Sequence, residues 1–161
     1  MNDIRLYGTH IPMLVKTIDL SDGPILELGM GISTWIIDMM CKQTGRKIVS
    51  YENDPRWHAE NLRYASNYHD VLLVSDWNII PIGSTHWSVV LVDHRPALRR
   101  HVEALRVKDN ADYIILHDTE PEIDKFYRYS KIYKHFKYRF TYDKCKPYTT
   151  VVSNFKDLSN L

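Results

Sequence analysis

Residues 25–34 read Ile25-Leu26-Glu27-Leu28-Gly29-Met30-Gly31-Ile32-Ser33-Thr34, and this stretch decides the fold. Ile25 to Leu28 form a short apolar-rich run of the kind found in strands buried on both faces. Gly29-Met30-Gly31 then makes a loop. Ser33 is placed to cap a helix running to about Gln43, and Gly45 ends it. A strand, a glycine turn and a helix in immediate succession make the first unit of an α/β sheet.

Outward from this unit the same alternation recurs. Upstream, residues 10–20 read as a lead-in helix beginning near Pro12, closed by the turn Ser21-Asp22-Gly23-Pro24. Downstream, a second strand spans Lys47 to Tyr51. Asn53 or Asp54 caps the next helix, with Pro55 in its first turn and Leu62 and Ala65 on its inner face. Strands follow at Val71 to Val74, Ser88 to Val92 and Tyr113 to Leu116. One helix starts at Pro96, with Leu98, Val102 and Leu105 at helical spacing, and another is predicted over Glu122 to Tyr133. Phe136, Tyr138, Phe140 and Tyr142 then alternate with polar residues as in a half-buried strand. A turn over Lys144 to Tyr148 leads to a last strand, Thr149 to Ser153. The expected fold is therefore α/β: a Rossmann-like, mostly parallel seven-stranded sheet, helices on both faces, and a C-terminal antiparallel β-hairpin.

The 161 residues suit one domain, with residues 1–22 as lead-in and 23–154 as core. Net charge is +1, so no strong global field recruits nucleic acid or an anionic membrane. Cys41 and Cys145 are too few and too far apart for a disulfide framework or a close-spaced metal site. The N-terminus lacks the apolar run of a signal peptide, and no stretch approaches a membrane span of about 18 apolar residues. A cytoplasmic protein is expected.

In an open α/β sheet, ligands bind beyond the carboxyl ends of the strands. The residues there are Glu27, Gly29 and Gly31; Glu52; Ser75 and Asp76; Asp93 and His94; and His117, Asp118 and Thr119. An acid follows every one of the five strands. Such a rim repels the pyrophosphate of a dinucleotide, and Thr34 stands where the dinucleotide fingerprint has its third glycine. It suits S-adenosyl-L-methionine (SAM), which carries a sulfonium, an ammonium and a ribose diol but no phosphate. Glu52, 23 positions after Gly29, is placed to bind two ribose hydroxyls.

On these residues the chain resembles a class I SAM-dependent methyltransferase from about Gly23 to Asn154. The resemblance implies that Glu27-Leu28-Gly29-Met30-Gly31 serves the methionine part. It places Glu52 at the ribose and Asp76 with Trp77 at the adenine, and Ser33, Thr34 and Asn53 complete the expected cofactor-binding set. More loosely, Val92-Asp93-His94 and His117-Asp118 resemble the catechol O-methyltransferase type, in which acids after strands four and five bind magnesium. By that likeness Asp93 and Asp118 hold a Mg²⁺ ion. Thr119 stands where that type has an asparagine ligand, however, and its lysine has no match near Arg95-Pro96.

The expected activity is O-methylation of a small hydroxylated acceptor by in-line transfer. The catalytic candidates are Asp93, His94, His117 and Asp118. Asp93 and Asp118 also suit simple helix caps ahead of Pro96 and Pro121. The alternatives are a non-catalytic SAM-binding module and a dinucleotide-dependent oxidoreductase. Thr9 and His10 either line the cofactor mouth or cap a helix. Trp57, Trp77 and Trp87 read as core, with Trp77 also placed to pack on adenine. From Lys125 to Lys146, eight Lys/Arg interleave with aromatics. The simpler account is a helix and a strand with solvated basic faces, so nucleic acid is not the expected partner.

Overall fold

Three apolar-rich stretches, Ile25–Leu28, Trp87–Val92 and Ala111–His117, carry enough hydrophobic surface to fill the middle of a sheet covered on both faces. In the computed structural model, which describes residues 8–161, they are the central strands β1 (Ile25–Leu28), β4 (Trp87–Val92) and β5 (Ala111–His117). β2 (Ile48–Glu52) and β3 (His69–Leu73) extend one side, and β6 (Tyr138–Tyr142) and β7 (Thr149–Ser153) the other. The order is β3-β2-β1-β4-β5-β7-β6. β1 to β5 pair in parallel, and β7 runs antiparallel to both β5 and β6. The expected lead-in segment and N-terminal composition fall partly on residues 1–7, outside the described residues.

Alternate residues of each strand feed two separate cores. One face, with Ile25, Ile48, Val89, Leu91, Ile115 and Val151, is covered by helices α1 (Ile11–Asp19) and α2 (Ile32–Cys41) and by Leu158. The other, with Leu26, Leu28, Val90, Val92, Ile114 and Leu116, is covered by the 74–82 segment, helix α4 (Arg100–Arg106) and Tyr129 and Ile132. Among the described residues no helix is long and apolar enough to cross a membrane.

Several local expectations are corrected. Ser33 lies inside α2, and the helix is capped at Gly31, whose N–H donates to Thr34 Oγ1 at 3.0 Å. Helix α3 (Pro55–Asn61) stops short in a 3-10 turn, leaving Leu62 and Ala65 exposed, and Asp54 is its cap. α4 buries Arg100, Glu103 and Ala104 while Leu98 is exposed. The predicted helix over Glu122 to Tyr133 is broken. Only α5 (Asp124–Tyr127) is helical, and Arg128 takes a left-handed φ of 60°. The Asp124 carboxylate then accepts from the Ser130 N–H and hydroxyl, folding the chain into 3-10 turns.

Gly29 locks the first loop onto the sheet. Its φ is +95°, and a Cβ there would lie 2.7 Å from the Asp93 carbonyl and the His94 Cα. Gly31 is extended, and a Cβ there meets nothing within 4 Å. Gly29→Ala is therefore expected to lose about 2 kcal/mol or more from strain and collision, and Gly31→Ala to stay within about 0.5 kcal/mol of the parent. Urea unfolding of both variants checks the contrast.

Candidate active site

The carboxyl ends of β1, β2, β4 and β5 border a cleft of about 840 Å³. Its lining includes Gly29, Met30, Glu52, Asn53, Trp57, Asp93, Arg95, Arg100, His117, Asp118, Tyr127 and Pro147. Four carboxylates, Glu52, Asp54, Asp93 and Asp118, face two guanidiniums, Arg95 and Arg100, so the lining stays net negative.

At the β1–β2 side, acids organise the glycine loop. Glu52 Oε2 accepts the Met30 N–H at 2.8 Å, and Oε1 accepts the N–H groups of Asn53 and Asp54 at 2.7 Å each. Three of about four lone-pair sites are thus held by backbone, which fixes the carboxylate at the cleft wall and leaves one acceptor direction open. Glu27 is fully buried behind the loop, where its Oε1 accepts from Ser33 Oγ at 2.5 Å and Thr34 Oγ1 at 3.1 Å. Its Oε2 has no partner among the described residues. Burial pushes the Glu27 carboxyl up to about 7, against the lowering effect of the Ser33, Ser50 and Thr34 hydroxyls. Glu27, Ser33 and Thr34 therefore brace the loop from behind.

At the β4–β5 side, one arginine ties the site together. Arg100 donates from Nε to the His94 carbonyl (2.7 Å) and from one terminal nitrogen to Asp118 Oδ2 (2.8 Å). Its other terminal nitrogen reaches the Asp93 carbonyl (3.0 Å) and Asp93 Oδ1 (2.9 Å). Tyr127 donates its hydroxyl to Asp118 Oδ2 at 3.0 Å and lies under the guanidinium. Asp118 is held at a φ of 59°, in the left-handed region. His117 Nδ1 sits 3.2 Å from Asp93 Oδ1, and its Nε2 sits 3.0 Å from Thr9 Oγ1. Burial alone would lower the His117 pKa, but the Asp93 hydrogen bond and the charges of Asp93 and Asp118 outweigh it and raise the ring above its usual value. Burial would raise Asp93, but the hydrogen bond with His117 and the charges of Arg100 and His117 outweigh it and bring it down to about 2.

Other sequence expectations move. The Arg100 guanidinium bridges Asp93 and Asp118, supplying between the two carboxylates a positive charge of the kind the expected Mg²⁺ would have brought. His94 turns into the core: its Nε2 meets Glu103 Oε2 at 3.2 Å, and its ring packs on Trp77 at 4.2 Å. Trp77 is buried there and does not line the cleft, and Asp76 is exposed, capping its own turn to Asn78. Trp57, expected in the core, is half-exposed at the cleft. His10 packs edge-on against His117, and burial above all lowers it to about 4. Arg100 and Tyr127 were not singled out from sequence. Arg100 sits in a charged helical stretch that looks solvated, and Tyr127 in a helix that does not form.

No protein-family model matches the sequence, and no curated protein matches it either. Solved structures do match. Human methyltransferase-like protein 13 in complex with SAH superposes with a TM-score of 0.70 at 13% identity, over 95% of this chain and 85% of that one. Cofactor-bound Rv0187 from MTB gives 0.67 at 11% identity, over 91% and 80%. The N-terminal domain of human METTL16 in complex with SAH gives 0.62 at 11%, over 92% and 71%. The fold is that of the class I methyltransferases. In this methyltransferase fold the reversed strand β7 and the glycine loop after β1 occupy the places expected from the sequence.

The raised Glu27 carboxyl has a measurable signature. Its folded pKa of about 7 stands above the ordinary 4.5, so the unfolded chain releases this proton first and stability falls as pH rises from 4.5 through 7. Glu27→Gln is expected to remove this component, gaining up to about 3 kcal/mol on the parent between the two ends of that window. Urea unfolding of both proteins across the range checks it.

Proposed function

We propose that this protein is a SAM-dependent methyltransferase acting on a hydroxyl group presented in the β4–β5 half of its cleft. The observation that carries the reading is the division of the cleft into two unlike halves. A glycine loop pinned to Glu52 forms one, and an Asp93–His117 pair forms the other. The lining fits the donor: Glu52 keeps an acceptor direction for a ribose hydroxyl, and the net negative wall suits a cation. Gly29, Met30, Glu52 and Asn53 would hold it, with Trp57 at the mouth. When bound, SAM supplies an electrophilic methyl carbon on its sulfonium.

The chain's own residues do the rest. Asp93 and Asp118, fixed by Arg100, orient the acceptor hydroxyl. Asp93 holds the His117 ring by Nδ1, and the Thr9 hydroxyl engages Nε2. Hydroxyl, imidazole and carboxylate in this order fix the tautomer with the proton on Nδ1. His117 takes up the released proton at Nε2 through the Thr9 hydroxyl, which gives up its own proton as it receives the acceptor's. The cleft volume falls within the usual small-molecule range of about 300–1,000 Å³. What enters is therefore a small hydroxylated molecule or a single hydroxylated unit of a longer one.

Calorimetry tests the donor site. The parent is expected to bind SAM and SAH with a Kd in the micromolar range, on the order of −8 kcal/mol. Glu52→Gln is expected to weaken both by about 1–3 kcal/mol. Unchanged affinity would remove Glu52 from the donor site.

The proton path predicts a pH profile. His117 is a base only when neutral, so the rate is expected to rise with pH through a pKa above the usual imidazole value. His117→Asn is expected to lose about 10²–10⁴ in rate while SAH binding persists. A parent rate that is flat with pH under single-turnover conditions would exclude His117 as the base.

A further inference from the structure

The net charge of +1 conceals a division. Between Lys125 and Lys146 lie eight Lys/Arg and one acid, Asp143, while the rest of the chain carries thirteen basic and nineteen acidic residues. All eight basic residues are exposed. Among the described residues only Lys146 of the eight forms an ion pair, with Glu122 at 3.1 Å. The account of these residues as the solvated face of one amphipathic helix fails, because that helix is replaced by short turns leading into edge strand β6. Exposed rings lie among the charges: Phe126 is 50% and Tyr138 38% exposed, with Lys125 over Phe126 and Arg139 over Tyr133. At the far end, Lys134, His135, Lys137 and Phe155, with the Lys108–Asp109 ion pair, border a second hollow of about 440 Å³. At the near end, Tyr127 and Pro147 line the methyl-transfer cleft itself.

We propose that this flank holds a single-stranded nucleic acid and delivers one of its nucleotides into the cleft as methyl acceptor. The inference rests on the methyl-transfer reading given above. Unpaired lysines and arginines neutralise phosphates, and rings between them stack on bases without demanding a sequence. Continuity with the cleft distinguishes a strand-shaped acceptor from an anionic membrane, which needs no opening into a site. The chemistry balances: a nucleotide hydroxyl oxygen forms the new bond to the methyl carbon as the carbon–sulfur bond breaks. Sulfur keeps the electron pair, leaving neutral SAH, and the hydroxyl proton passes to His117.

The test uses the full chain, saturated with SAH, and fluorescence anisotropy with labelled single strands of about 12 nucleotides, as RNA and as DNA. Binding is expected at about 50 mM salt, falling on the order of a hundredfold by 200 mM. The variant Lys134→Glu/Lys137→Glu/Arg139→Glu is expected to lose tenfold or more, with its thermal midpoint and SAH calorimetry unchanged. If it fails to fold, the neutral set Lys134→Gln/Lys137→Gln/Arg139→Gln replaces it and is expected to lose severalfold. Labelled methyl from SAM is expected to enter the RNA. Incorporation into RNA alone assigns the 2′-hydroxyl, and incorporation into internal nucleotides of DNA as well overturns the hydroxyl acceptor. SAH binding without oligonucleotide binding overturns the nucleic-acid inference and leaves the methyl-transfer reading standing. So does unchanged affinity in the folded variants, or equal affinity for polyphosphate or anionic vesicles. Oligonucleotide binding by a protein that binds neither SAM nor SAH overturns the methyl-transfer reading, and the acceptor role with it.

Discussion

Arg100 reaches the two carbonyls and two carboxylates that terminate β4 and β5. A guanidinium is suited to this because its donors form a rigid planar fork and it stays charged. Burial works against that charge, but Asp93 and Asp118 more than offset it and raise the Arg100 pKa. Removing one partner of such a buried pair costs about 3–5 kcal/mol, since the other charge is left uncompensated. The positions of Asp93, His117, Asp118 and Tyr127 all follow from this one side chain. So does the charge state of the acceptor half, where two carboxylates share one cation that belongs to the chain itself.

A second polar layer supports the first. Glu103, fully buried on α4, accepts from His94 Nε2 (3.2 Å) and from Arg99 (2.6 Å). Through it the His94–Trp77 pair is tied to the same helix that carries Arg100. Helix α4 therefore meets the sheet with two charged residues, Arg100 and Glu103, set beside the apolar Ala104 and Leu105. That arrangement is harder to satisfy, but it gives the strand ends fewer alternative positions.

This buried charge also explains where sequence reading stopped. Strands β1, β4 and β5 are legible because short apolar-rich runs have few other uses, β7 because it is rich in β-branched residues, and the Gly29 loop because its backbone demands glycine. The facing of α4 is only partly legible from the helical spacing of Leu98, Val102 and Leu105: Leu105 packs on the core, but Leu98 is exposed and the buried positions are Arg100, Glu103 and Ala104. Periodicity registers hydrophobicity and cannot see charge that is paired inside. The helix after β5 was overcalled for a related reason: a left-handed Arg128 and the Asp124 turn leave little trace in composition. Glu52, Asp93, His117 and Asp118 do gather at the cleft as their places after strands imply. Asp76, Trp77 and His94 follow strands in the same way yet turn elsewhere, because side-chain direction depends on packing partners distant in sequence.

The left-handed backbone at Asp118 has a cost of its own. Glycine or asparagine would adopt a φ of 59° more comfortably, and a non-glycine residue held there stores on the order of 1–3 kcal/mol. The carboxylate is kept in place by Arg100 and Tyr127, so the ion pair and the hydroxyl act as a latch on a sprung segment. Relaxing that spring by substitution would make a sturdier protein with a slacker clamp on whatever enters the cleft. Robustness and function here pull on the same residue in opposite directions.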